Sequence, residues 1–75
     1  MSQPMSEHLV TTMKLQRARL DLTQAELAQR AGVTRKSINA IETGNMAPST
    51  LLALKLAKVL GVTVEDLFAI EVRPA

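Results

Sequence analysis

Residues 23–42 read TQAELAQRAGVTRKSINAIE, and this stretch decides the fold because it holds two helix starts around one turn. Thr23 is followed three positions on by Glu26. That is a capping box: the hydroxyl accepts from the backbone N–H of Glu26, and the carboxylate reaches back to the N–H of Thr23. Leu27, Ala28 and Ala31 then make a narrow apolar face whose two alanines let another helix come close. Gly32 stands just past the last helical residue, where a left-handed backbone costs glycine little. Val33 plugs the turn, and Thr34 can cap a second helix that begins at Arg35.

A step of about 100° per residue sorts that second helix into two faces. Ile38 and Ile41 point to the core with Ser37 at the edge, whereas Arg35, Lys36, Asn39, Ala40 and Thr43 fall on the other side. The outer face carries two cations, an amide, a hydroxyl and one small apolar residue, and no carboxylate. Such groups suit the phosphates and base edges of a DNA major groove. A merely solvated helix face has a similar composition, so the flanking sequence has to decide.

The flanking sequence resembles the phage-repressor family, that is, the Cro-repressor and lambda-repressor-like (XRE) helix-turn-helix proteins. The TQAELAQ run and the spacing of Ala28, Gly32, Val33, Ile38, Ile41, Glu42 and Gly44 match the family pattern, over about Met13 to Phe68. The resemblance implies an all-α, five-helix DNA-binding domain with its helix-turn-helix at residues 24–43. It also implies roles. Gln24 would hold a phosphate with its side chain and the helix-end N–H. Thr34 and Ser37 suit backbone contacts that set the depth of insertion. Arg35 and Lys36 occupy the main base-reading positions, where arginine favours guanine. Asn39 could reach an adenine edge or a phosphate, and Ala40 offers at most a thymine-methyl contact. Thr43 and Asn45 fall where the family's loop touches the DNA backbone. Arg17, which interrupts an apolar stripe, would pair with Glu42 at the end of the reading helix; a fork-shaped guanidinium suits such a half-buried pair.

Outward from the motif, residues 1–5 read as a loose tail and 6–68 as the folded domain. Ser6 or a neighbour can cap a first helix to about Leu20, with Leu9, Val10, Met13, Arg17 and Leu20 as its inner stripe. His8, the single histidine, has no cysteine or paired carboxylates near it and reads as a surface residue. Asp21 stands where the family often has glycine, and aspartate tolerates a left-handed helix end at modest strain. After Glu42, Gly44, Asn45 and Pro48 break the helix. Ser49 caps a fourth helix, Thr50 to Leu60, stopped by Gly61, and Thr63 with Asp66 starts a short fifth through Leu67 and Phe68. From the end of the domain into the tail, 69–75, Phe68, Ile70 and Val72 alternate with Ala69, Glu71 and Arg73, the period of a short strand. A lone strand seeks a partner, so Ala69 to Arg73 is expected to pair antiparallel with its copy across a dimer axis, with Glu71 and Arg73 meeting there. The competing expectation is a disordered tail. The dimer surface would comprise Leu52, Val64 and Leu67, implied by the resemblance, together with Ile70 and Val72.

Composition sets outer limits. The 75 residues make one small domain, 47% hydrophobic but only 1% aromatic, so the core must be aliphatic and base stacking is disfavoured. Without cysteine there is no disulfide and no cysteine-based zinc site. A net charge of +2 is too mild to signal nucleic acid by itself, so any electropositive surface must be local. No apolar run approaches a membrane span, and the N-terminus lacks the order of a signal peptide, so a cytoplasmic protein is expected. No catalytic constellation, glycine-rich phosphate loop or metal-ligand cluster is present, so neither an enzyme nor a cofactor is expected. The sequence therefore points to a transcriptional regulator, a repressor binding a palindromic operator as a homodimer. The alternatives are an antitoxin-type autorepressor with a protein partner, and an interaction module that no longer binds DNA.

Overall fold

The computed structural model describes residues 4–74. A strand, β1 (Met5–Thr11), leads into five helices, α1 (Met13–Arg19), α2 (Gln24–Ala31), α3 (Arg35–Glu42), α4 (Thr50–Leu60) and α5 (Val64–Leu67). A second strand, β2 (Phe68–Pro74), follows and pairs antiparallel with β1, from Met5 opposite Pro74 to Thr11 opposite Phe68.

The helical part follows from local chemistry. Thr23, Thr34, Ser49 and Thr63 each accept a bond from the backbone N–H three residues on, and capping boxes close at Thr23–Glu26 and Thr63–Asp66. At the other ends, Gly32 and Gly61 cap α2 and α4 in the left-handed conformation. Asp21 adopts it too, with φ of 55°, as its place in the family pattern led us to expect. The core is aliphatic: Met13, Leu27, Ile38, Ile41, Leu56, Leu60 and Leu67 are its large, fully buried side chains.

Two expectations fail in one place. The domain is not all-α, and its first helix starts at Met13 rather than near Ser6. Leu9, Val10 and Met13 fit a helical stripe, but a strand of equal length lies within reach, and pairing with β2 satisfies backbone groups that a frayed helical turn would leave to water. The junction is stapled by threonines. The Thr11 hydroxyl donates to the carbonyl of Leu67 at 2.8 Å, Thr12 N–H donates to the same carbonyl at 2.9 Å, and the Thr12 hydroxyl donates to that of Asp66. These bonds take up the carbonyls at the end of α5 and prevent α1 from extending backward. Of the tail assigned to residues 1–5, Pro4 and Met5 are described and Met5 begins β1; residues 1–3 lie outside the described residues.

The C-terminal strand exists, extended by one residue at each end, but the partner in this structure is β1 of the same chain. Glu71 and Arg73 meet within one chain, at 2.8 Å along the same strand, where residues two apart share a face. Leu67, expected at a dimer surface, is wholly buried in the chain's own core.

Candidate nucleic-acid interface

The helix-turn-helix is locked at three points. Thr34 caps α3, and its hydroxyl lies 3.0 Å from that of Ser37, so these two residues bond first to each other. Beyond α3 the N–H groups of Asn45 and Met46 both donate to the carbonyl of Ala40, at 2.9 and 3.1 Å. The Thr43 hydroxyl donates to the carbonyl of Asn39 at 2.9 Å and accepts from Asn45 Nδ2 at 3.2 Å. Thr43 and Asn45 are therefore tied to each other and to the end of α3, and the loop they form is fixed against that helix.

The third point is the Arg17–Glu42 pair, expected from the family pattern. Arg17 Nε donates to Glu42 Oε2 at 2.8 Å, Nη2 to Oε1 at 3.2 Å, and Nη1 to the carbonyl of Leu22 at 2.8 Å. The Glu42 side chain is 4% exposed. Burial pushes its carboxyl up, but hydrogen bonds from Arg17 and Gln24, with the charges of Arg17 and Lys14, hold it below its ordinary range. The bond to Glu42 raises Arg17 in turn, against its own desolvation. One guanidinium thereby joins α1, the α1–α2 turn and the end of α3.

Gln24 is a neighbour of that pair rather than a free surface amide. Its Nε2 donates to Glu42 Oε1 at 3.0 Å and to Asn39 Oδ1 at 3.2 Å, and the side chain is turned into the motif. At the start of α2 the Glu26 N–H is taken by the Thr23 hydroxyl, whereas the first backbone N–H groups have no acceptor one turn back in a helix beginning there.

Arg35, Lys36 and Asn39 are exposed on the outer face of α3, with Ala40 half-buried on the same helix. Neither Arg35 nor Lys36 has a carboxylate partner among the described residues, whose ion pairs are Arg17–Glu42 and Arg73–Glu71. Lys14 was not singled out from the sequence, yet its charge reaches Glu42. It lies one turn before Arg17 on α1, and that three-residue spacing was the available signal. No cluster of metal-ligating side chains occurs among the described residues, and no helix there is long and apolar enough to cross a membrane.

A capped, compact helix pair with an unpaired cationic face is the layout of a helix-turn-helix reader, and comparison with known proteins agrees. The chain belongs to the XRE-like helix-turn-helix family, whose sequence model, described as Helix-turn-helix, matches residues 13–67. It is 49% identical over 59 residues to an uncharacterised HTH-type transcriptional regulator of Methanocaldococcus jannaschii, a match covering 79% of this chain and 89% of that one. An uncharacterised HTH-type transcriptional regulator of Bacillus subtilis is 46% identical over 55 residues, covering 73% and 83%. Among solved structures, a hypothetical transcription factor from Neisseria superposes with a TM-score of 0.68 at 30% identity, covering 72% of this chain and 61% of that one. A candidate DNA-binding protein from Bacteroides fragilis shares the fold, with a TM-score of 0.74 at 23% identity, covering 81% and 98%. The protein is a DNA-binding transcription regulator.

Proposed function

We propose that this protein is a sequence-specific, cytoplasmic repressor that binds a palindromic operator as a homodimer. The observation that carries this reading is the outer face of α3, where Arg35, Lys36 and Asn39 stand exposed with no carboxylate partner among the described residues. Arg35 has the reach and fork to address guanine O6 and N7, and Lys36 the charge for a neighbouring acceptor. Ala40 contributes at most a methyl contact. The fixed loop of Thr43 and Asn45, the Thr34–Ser37 pair and the start of α2 at Gln24 set the helix against the backbone. Occupancy of an operator is sufficient for repression and asks no further surface of the protein.

Homodimer formation is supported by the ribbon. Register and alternation place Met5, Leu9, Phe68, Ile70 and Val72 on one face, with the carboxylate of Glu7 opposite Val72 among them, and all but Phe68 are exposed. A groove lined by Leu9, Leu54, Val64 and Phe68 continues that face onto α4 and α5. An isolated two-stranded ribbon is marginal in water, and burying its apolar face against a second copy would stabilise it. Leu52, Val64, Ile70 and Val72 remain in the proposed contact; Leu67 does not.

Selection of bound duplexes from a random pool, followed by sedimentation of the protein with and without the selected site, tests the whole reading. A two-fold symmetric site with half-sites about 34 Å apart is the expected result. An antitoxin would in addition hold a protein partner on the ribbon face. An interaction module would select no sequence at all.

A further inference from the structure

The bonds of Gln24 constrain how α3 reads DNA, an inference that rests on the function proposed for that face. A carboxylate only accepts, so the end of the Gln24 amide that faces Glu42 Oε1, 3.0 Å away, must be the NH₂ end. The same nitrogen lies 3.2 Å from the Asn39 side chain, so the atom of Asn39 turned toward it must be the carbonyl oxygen. Both hydrogens of Gln24 Nε2 are then taken. The orientation of Asn39 follows by chemistry from a carboxylate that is itself pinned by Arg17.

We infer that Asn39 is a donor-only, specificity-determining reader that selects guanine, and that Gln24 is the positioning residue which holds it so. The two ends of a planar amide diverge. With Oδ1 directed back at α2, the Nδ2 group, which has no protein acceptor among the described residues, faces away from the motif on the exposed side of α3. Bidentate recognition of adenine needs both ends at the base, Oδ1 accepting from N6 and Nδ2 donating to N7. Turning Asn39 to do that would break its bond to Gln24 and leave a Gln24 hydrogen unpaired beside Glu42. Two outward N–H donors instead match the two acceptors of guanine, N7 and O6. Thymine offers one acceptor, and adenine sets its own donor against them. The preference for guanine over adenine should be about fivefold, the worth of one ordinary hydrogen bond.

The test is in vitro selection of duplex DNA by four proteins. Asn39→Ala locates the base pair in question as the one whose preference is lost. At that pair the wild type is expected to favour guanine, and Gln24→Met, which frees the Asn39 carbonyl, to admit adenine while preferences elsewhere stay as they were. Asn39→Asp keeps an acceptor for Gln24 but presents only acceptors outward, so cytosine should replace guanine; this variant decides the matter if Gln24→Met does not fold. Adenine favoured by the wild type overturns the inference. So does a folded Gln24→Met that loses affinity for all sequences alike with its base preferences intact, or an Asn39→Asp that still selects guanine. Absence of any selected sequence with the wild type overturns the DNA-binding reading itself.

Discussion

The helix-turn-helix and the two-stranded ribbon are built on opposite plans. In the first, the large apolar side chains of α2 and α3 are buried and the central charge, Glu42, is answered by three hydrogen bonds from Arg17 and Gln24. In the second, Met5, Leu9, Ile70 and Val72 all face water and the Glu71–Arg73 ion pair is exposed. One region therefore has its energy inside the chain, and the other offers surface that the single chain does not use. Rigidity has been placed behind α3, the helix that carries Arg35, through the Arg17–Glu42 pair and the loop bonded to Ala40.

Breaking the Arg17–Glu42 pair should have the largest effect. Arg17→Met or Glu42→Leu alone leaves a nearly buried charge without its partner and should cost about 3 kcal/mol or more in urea unfolding. The double variant should recover much of that loss, and simple additivity would show that the two side chains are uncoupled. At the interface itself, Arg35→Ala should cost about 1–3 kcal/mol in binding the selected site and relax preference at one base pair. A uniform loss across sequences would place Arg35 on the backbone instead. In the rigid region, Thr34→Ala removes the cap of α3 and should lower stability by about 1 kcal/mol by thermal or urea unfolding.

Acid sharpens the comparison. Glu42 is held below its ordinary 4.5, so its contribution is fully present above about pH 4.5 and is lost as pH falls through the lower folded value. Glu26 and Asp66 are lowered too, by bonds from the backbone and hydroxyl of their capping threonines, and act with the same sign. Stability measured from pH 6 to pH 3 should fall, and Glu42→Gln should fall less steeply while starting lower. An equal slope in the variant would show that Glu42 does not carry the dependence. The smallest stability effect belongs to the ribbon. Ile70→Ser with Val72→Ser should change unfolding of the isolated chain by less than about 1 kcal/mol, because both side chains are exposed. The same pair should convert a sedimenting dimer to monomer; an undiminished dimer would remove the ribbon face from the proposed contact.

What could be read from the sequence was whatever acts within a few residues. Thr23 with Glu26, Thr63 with Asp66, the stops at Gly32 and Gly61, and the two faces of α3 are all three- or four-residue relations. Each is in place in the fold. The Arg17–Glu42 pair, 25 positions apart, was accessible only through the family pattern. Strand β1 was not legible, because Leu9 and Val10, adjacent in sequence, fit a helical stripe and break the alternation of a strand. The choice was made by a partner strand more than fifty residues away and by Thr11 bonded to Leu67 across a separation of 56. The direction of Gln24 was hidden for the same reason: its residue type offers a donor to a phosphate or to Glu42 equally well. Periodicity and capping are encoded locally, so the sequence by itself determined the helices and the two faces of α3. Which edge β2 pairs with, and which way two amides point, depend on groups that folding alone brings together, and those the tertiary structure decided.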